Sequence, residues 1–465
     1  MDRSLRSAGD SDLPDLITGV PGPASREWLE RLRRVECRNT VCIGPEFPVV
    51  WERARGANVW DVDGNRYVDL TSAFAVAGWG HGHPALTSAL QRQAGELLHG
   101  MGDVHPPRVR IELAERLAAI APGRLAKCLF TGSGSDAVEA ALKTARLATG
   151  RRGVLAFRGG YHGLGYGALE ATERIEFRAP FLDQLGCFVE HVPYPYCYRC
   201  PLGRERAECG RTCLPELRRR LDNARARIDA GAVLVEPVLG RGGEVVPPAG
   251  FLQMLRTFCD ERGLVLIADE IYTGFGRTGR AFGVDHDGVV PDLMCLGKGL
   301  TGGFPLSCCI GLPEVMDAWP ESTGEAIHTS TYLGHPAGCA QALAALDLFE
   351  AGLGRDGRFA PALAIAAIIE RWAAEVGGRI DGVGEVRGVG AMWGIELVTG
   401  PGRPGRPDGA GASRVVSAML RAGYLALGGG AAGQVVSFAP PFVIAAPVLE
   451  TALDRVAECL ARRTR

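Results

Sequence analysis

A lysine can do something an arginine cannot: it can shed its proton and attack a carbonyl carbon as a free amine. The lysine count of this chain is therefore informative. Of 51 Lys and Arg residues, only Lys127, Lys143 and Lys298 are lysines. Coding preference accounts for the general use of arginine, but not for the setting of Lys298. That residue lies in Cys295-Leu296-Gly297-Lys298-Gly299-Leu300, after Pro291-Asp292, where an apolar run ends among glycines. The pattern predicts a lysine at a strand end. A desolvated lysine there has a lowered pKa and becomes a nucleophile, whereas a solvated surface lysine does not.

Three other segments gain meaning beside it. Leu264-Val265-Leu266-Ile267-Ala268-Asp269-Glu270 ends a strongly apolar strand in two carboxylates. In a parallel sheet that is where ligands bind, and a buried carboxylate needs a cationic partner; the plainer reading is a helix cap or a loop ion pair. Phe130-Thr131-Gly132-Ser133-Gly134-Ser135-Asp136 runs from a short strand through small residues into the helix former Ala137-Val138-Glu139-Ala140-Ala141-Leu142-Lys143. Such a turn aims backbone N–H groups and hydroxyls at the positive end of a helix, which suits a phosphate. A simple cap, with Ser135 or Asp136 satisfying the first amides, explains the same residues. Gly160-Tyr161-His162-Gly163 sets an aromatic ring beside a histidine, fit to stack on a flat ligand or merely to pack. Together the four segments supply a phosphate cup, a stacking ring, a carboxylate for a pyridinium nitrogen and a Schiff-base lysine. Those are the requirements of pyridoxal 5'-phosphate (PLP). Gly274-Phe275-Gly276-Arg277-Thr278-Gly279 formally matches a dinucleotide-binding pattern, but no helix former opens at its glycines, as that motif requires.

The elements that must hold these residues follow from the periodicity. Short apolar strands, predicted at Gly153–Phe157, Ala232–Glu236, Leu264–Glu270 and Leu293–Gly297, alternate with helices at Asp136–Ala148, Pro215–Ala230, Phe251–Arg262 and Pro336–Ala351. The expected fold class is α/β, with a mostly parallel sheet covered on both faces. Beyond about residue 355 the texture changes to helices at Pro361–Val376 and Pro447–Arg462 with hairpin-like segments between. This predicts a smaller α+β domain completed by the N-terminus. The boundaries drawn are a flexible tail over 1–20, small-domain residues 21–75, a large domain over 76–350 and a C-terminal small domain over 351–465. Pro21–Pro23 and Gly400–Gly411 read as surface linkers or loops.

Composition narrows the class further. The chain has 465 residues, too many for one ordinary core, with 46% hydrophobic and 22% charged residues, as in soluble globular proteins. A net charge of −2 gives no general pull toward nucleic acid or anionic membrane. No apolar run approaches the ~18–20 residues that span a bilayer. Met1 to Leu16 lacks the apolar core of a secretory signal. Fourteen cysteines scattered along such a chain fit a reducing cytoplasm, with Cys128, Cys259 and Cys295 as core residues.

From about Val49 to Ile444 the sequence resembles the class III (omega-type) aminotransferases of PLP fold type I. The strongest markers are Asp269-Glu270-Ile271-Tyr272-Thr273-Gly274-Phe275-Gly276-Arg277-Thr278-Gly279 and the Lys298 segment beyond it. Gly80-His81-Gly82-His83-Pro84, Tyr161-His162-Gly163, Glu236-Pro237 and His328-Thr329-Ser330-Thr331-Tyr332 add weaker support. The resemblance implies that Lys298 forms the Schiff base and shuttles the proton, and that Asp269 keeps the pyridine nitrogen protonated. It also implies that Gly134 and Ser135 hold the phosphate, that Tyr161 stacks on one ring face and Ile271 packs on the other, and that His162 is a cofactor-binding residue. Glu236 and Tyr272 belong to the same cofactor-binding set. Thr331 reaches the phosphate of a partner subunit, which makes the active unit a homodimer. The implied reaction moves an amino group between an amino donor and a keto or aldehyde acceptor in a ping-pong cycle.

The departures from the family bear on substrate. Where the family has Glu-Pro-x-Gln-Gly-Glu-Gly, this chain has Glu236-Pro237-Val238-Leu239-Gly240-Arg241-Gly242. Where an arginine often precedes the Phe-Ala-Pro-Pro run, Ser437 stands before Phe438. In many members that glutamate and arginine form a switch for the substrate carboxylate. Either another arginine is the anchor here, or Arg241 is, or one substrate is an amine or amino sugar; Phe74, Arg241 and Ser437 are the specificity candidates. Tyr272 replaces the family glutamine, which unsettles the contact to the cofactor's ring hydroxyl. Cys197, Cys200, Cys209 and Cys213 have the paired spacing of a zinc clip, with free thiols or disulfides as the other readings. A PLP racemase, epimerase or lyase would use the same Lys298 and Asp269, and a catalytically dead scaffold would carry no cofactor.

Overall fold

A computed structural model describes residues 12–42, 44, 47–205, 209, 213–376, 379–402 and 404–462. The chain divides into two units, Met1–His83 with Ala360–Arg465, and Pro84–Phe359. The divisions fall at 83/84 and 359/360, where the sequence reading drew them at 75/76 and 350/351.

The Pro84–Phe359 unit is built on seven strands: β1 Lys127–Thr131, β2 Gly153–Phe157, β3 Val189–Val192, β4 Ala230–Val235, β5 Val265–Asp269, β6 Leu293–Leu296 and β7 Ser307–Gly311. Their spatial order is β1-β7-β6-β5-β4-β2-β3. From β6 through to β3 every pairing is parallel. Only β7 runs against its neighbours, with Ser307 opposite Thr131 and Cys309 opposite Cys295. Strands β2, β4, β5, β6 and β7 are buried at every residue. Burial on both faces is why they read as unbroken apolar runs rather than as alternating ones. Parallel pairing also carries the C-terminal ends of β1, β2, β4, β5 and β6 to one edge of the sheet, the edge where ligands bind in such folds. Helix α1, Gly134–Thr149, buries Ala137, Val138, Ala140, Ala141, Leu142 and Ala145 and stops at Gly150 in the left-handed region (φ 67°).

In the other unit, Trp51–Arg55, Asn58–Asp61 and Arg66–Asp69 form an antiparallel meander, and Tyr424–Leu425 adds to it in parallel. The N- and C-terminal stretches thus share one sheet. A second sheet orders Val383–Val389, Met392–Thr399, Val435–Phe438 and Leu427–Gly429. Two expectations fail here. The chain from 12 to 18 is tied down rather than free: Asp12 N–H donates to Asn58 Oδ1 at 2.7 Å, and Ile17 and Thr18 N–H donate to Asn65 Oδ1 at 2.8 and 2.9 Å. Asp15 and Arg66 exchange backbone bonds. The partners lie some fifty residues away in sequence, so local composition does not reveal them; residues 1–11 lie outside the described residues. Gly400–Gly411 is not all loop either. Arg406–Pro407 pairs with Val398–Thr399, and Asp408 caps a helix over Gly409–Arg421 by accepting from Gly411 N–H at 2.8 Å.

The same unit holds an unusual turn. Ser72, Ala73, Phe74 and Ala75 all have positive φ (48°, 47°, 64° and 64°). Each costs roughly 1–2 kcal/mol for a residue with a Cβ. Asp69 holds the turn: Oδ1 accepts from Thr71 N–H and Oγ1 at 2.7 and 2.6 Å, and Oδ2 accepts from Ala73 N–H at 3.1 Å and meets His81 Nε2 at 2.8 Å. Among the described residues no helix is long and apolar enough to cross a membrane.

Candidate active site

Lys298 follows β6 and opens a short 3₁₀ turn, Lys298–Leu300. Its φ of 43° is left-handed, a conformation that non-glycine residues hold mostly where function demands it. Its Nζ sits 4.5 Å from the centre of the Tyr272 ring, a cation–π distance. Burial pushes the amine below the ordinary lysine value. Asp269, Glu236 and Glu244 pull it back up, and Arg241 pushes it down again. Four charged groups therefore face one amine.

Asp269 ends β5 and is 4% exposed. Its Oδ2 lies 2.7 Å from His162 Nδ1, and its Oδ1 accepts from Ile271 N–H at 3.2 Å. The cationic partner that a buried carboxylate requires is this histidine. Burial alone would lower the His162 pKa, but the hydrogen bond and charge of Asp269, with Glu236, outweigh it and raise the pKa. Glu236, just beyond β4, accepts from Tyr161 N–H and Gly240 N–H, each at 2.9 Å. Burial pushes it up to about 6, opposed by His162 and reinforced by Asp269.

The turn from β1 into α1 is capped by Ser133, which accepts from Asp136 N–H at 3.2 Å and donates to Asp136 Oδ2 at 2.8 Å. The cap is thus not Ser135 or Asp136, as the sequence suggested. Ser135 is left to accept from Gly165 N–H at 2.9 Å. Amides in a first helical turn have no preceding carbonyl to bond, so those of Gly134 and Ser135 can face an anion. The fit is close: a Cβ on Gly134 would stand 2.8 Å from Ile271 Cδ1, and one on Gly163 (φ 125°) would stand 2.6 Å from Ser135. The Tyr161 ring meets Phe177 edge-on at 5.8 Å, and the exposed Arg241 guanidinium lies 5.1 Å from the Tyr161 ring centre. Arg174 adds a second guanidinium, 5.5 Å from the Phe177 ring.

The model of the family "Aminotransferase class-III" matches residues 43–460. The chain belongs to the class III aminotransferases. It is 37% identical to a probable 4-aminobutyrate aminotransferase of Bacillus subtilis over 86% of this chain and 90% of that protein. It is 39% identical to an acetylornithine aminotransferase of Methanopyrus kandleri over 89% of this chain and 95% of that one. The solved amine transaminase of an uncultivated Pseudomonas species, in its PLP-bound form, superposes with a TM-score of 0.84 at 32% identity, covering 92% of this chain and 98% of the other. The α/β architecture with its largely parallel sheet is fold type I, and the cofactor is PLP. The activity is transfer of an amino group between an amino donor and a carbonyl acceptor; a racemase or epimerase reading is not favoured.

Within this aminotransferase, one unit brings together Lys298, Asp269, His162, Glu236, Tyr161, Tyr272, Ile271, Gly134, Ser135 and Arg241. Thr331 is exposed in the turn after Ser330. Phe74, 52% exposed, belongs to the left-handed turn of the other unit, and Ser437 is buried there in the strand Val435–Phe438, opposite Gly394 and Leu427. Sequence reasoning missed Glu244, Arg174 and Phe177. Glu244 carried no motif, and the other two gain meaning only from Arg241 above them.

The zinc expectation is corrected. Cys213 is buried at the start of the helix Cys213–Ile228. Burial, its hydrogen-bonded neighbour Cys209, and the nearby Cys197 and Cys200 push its thiol up to about 11. Among the described residues no group of three or more His, Cys, Asp or Glu side chains is arranged to hold a metal ion.

Proposed function

We propose that this aminotransferase takes donors with an amine at one end and a carboxylate at the other, and that Arg241 grips the carboxylate. The observation that carries this reading is the Arg241 guanidinium, stacked 5.1 Å from the Tyr161 ring and electrostatically felt by Lys298. The names of the relatives, 4-aminobutyrate, 5-aminovalerate and acetylornithine aminotransferases, support the same donor class. A purely neutral amine or an amino sugar leaves that cation without a partner in the substrate.

The residues fit PLP. A phosphate suits the first-turn amides of Gly134 and Ser135, where Gly134 packs closely against Ile271. A basic ring nitrogen suits Asp269, a buried carboxylate whose Oδ2 lies 2.7 Å from His162 Nδ1. Tyr161, with His162 behind it, and Ile271 offer the two faces for a flat ring. Tyr272 and Glu236 shape the wall around Lys298, and the Lys298 amine suits an aldehyde. When bound, PLP supplies an electron sink for the carbon that bears the amine. The protein's own part is to grip the carboxylate with Arg241, to hold the ring nitrogen's proton with Asp269 and to move a proton with Lys298 Nζ.

The active unit is a homodimer in this reading, with Thr331 reaching the partner's phosphate. Exposed apolar side chains of the same unit, Leu98, Met101, Val104, Ile327 and Tyr332, support a covered face there. Cys259, Cys295, Cys308 and Cys339 are buried free thiols, which fits the reducing, cytoplasmic setting of this reading.

The test compares kinetics of Arg241→Ala on 5-aminovalerate and on an uncharged amine of similar size. Loss of a charge-assisted contact worth about 1.5–3 kcal/mol should cut kcat/KM for the carboxylate donor by about tenfold or more. The uncharged amine should be unaffected. Equal behaviour on both donors would remove Arg241 from the carboxylate site.

A further inference from the structure

Glu244 takes no part in the function proposed above, yet its setting is costly. It lies in the loop that leaves β4, closed by backbone bonds between Leu239 and Val245 at 3.1 and 3.0 Å. Its φ of 54° is left-handed, and its side chain is 2% exposed although it carries a carboxylate. Strain and a buried charge in one residue are the mark of a position that does something. Glu244 Oε1 stands 3.4 Å from the Tyr272 hydroxyl, a long and therefore weak bond whose effect is mostly electrostatic. The Tyr272 ring is seated against Gly240, where a Cβ would come within 2.7 Å of it. The centre of that ring lies 4.5 Å from Lys298 Nζ. Tyr272 thus touches the Glu244 carboxylate with its hydroxyl and the Lys298 amine with its ring.

Other charges also act on the amine. Asp269 is bonded to His162, and Glu236 to two backbone amides. Arg241 opposes all three carboxylates, and Arg277 faces the Tyr272 phenol. Burial and then the Glu244 charge raise the phenol well above its usual value, so it stays a proton donor aimed at Glu244.

We infer that Glu244 is a positioning residue for Lys298: through Tyr272 it seats the ring under the amine, and its charge helps the nitrogen at Lys298 keep its proton. The inference rests on the reading of Lys298 as the residue that carries PLP. It defines a second, substrate-independent control on the lysine, separate from Asp269.

The visible absorption of the PLP-loaded protein responds to protonation at that nitrogen and can be titrated with pH. Removing a nearby negative charge disfavours the protonated form, so the midpoint of Glu244→Gln should fall by about one pH unit. Tyr272→Phe keeps the ring but loses the phenol, and should shift the midpoint in the same direction by less. Glu244→Asp should bring it back toward the wild-type value. If Glu244→Gln does not fold, Tyr272→Phe decides alone. Wild-type midpoints in the variants, with or without a loss of kcat, would overturn the inference. A wild-type protein that shows no visible band after PLP is supplied would instead overturn the reading of Lys298 itself.

Discussion

Around Lys298 three carboxylates and one guanidinium compete over a single proton, and burial tips the balance toward the free amine. Cofactor-free protein should therefore capture PLP with a rate that climbs with pH and levels off below the ordinary lysine value of roughly 10.4. Lys298→Arg should capture none. Asp269→Asn keeps the shape of the site and removes its charge. It should lower kcat by about a hundredfold or more, because the charge matched to the ring nitrogen is lost. His162 would then have only the Glu236 charge to offset burial, so its imidazole titration, followed by NMR, should move down. An unchanged His162 would mean that Asp269 does not set its charge. Lys298 and Asp269 were legible in the sequence because the chemistry demands those residue types at strand ends, and Tyr161 because an aromatic stands beside a histidine between glycines. Glu244 was not, because its importance comes from a backbone twist within a glycine-rich loop, and residue type alone does not reveal that twist. Ser133, Ser135 and Asp136 were all plausible caps, and only backbone angles choose between them.

At the scale of elements, long buried strands and helices with clear stops were readable from pattern: Phe251–Arg262 and Gly153–Phe157 lie where periodicity put them. Pieces defined by distant partners were not, as with the docked chain at 12–18 and the helix that begins inside a glycine- and proline-rich stretch at Gly409. The cofactor end of α1 depends on two close approaches, Gly134 to Ile271 and Gly163 to Ser135, rather than on helix propensity. Gly163→Ala forces a left-handed backbone and a Cβ against Ser135, and should destabilise the folded protein by about 1–3 kcal/mol in thermal unfolding. It should also weaken PLP retention on dialysis. Ser133→Ala, which loses only the cap, should cost about 1 kcal/mol and leave the spectrum intact. Equal effects of the two substitutions would mean that the close approach at Gly163 is unimportant.

For the whole molecule, a second copy is the expected partner. Light scattering should give twice the 49.3 kDa chain mass. Leu98→Asp, on the exposed apolar face, should halve that mass and abolish turnover together, since a monomer lacks the partner's Thr331. An active monomer would remove the shared site. One feature of the large sheet bears on how such a molecule comes into being. Strand β7 is the last of the seven in the chain, yet it lies between β1, which leads to the phosphate cup, and β6, which leads to Lys298. A ribosome that has delivered residues 1–300 has already made the lysine, the aspartate and the cup, but not the strand that joins the two halves of the pocket. Nascent chains released before residue 307 should therefore take up no colour, and chains extended past Gly311 should be the first able to.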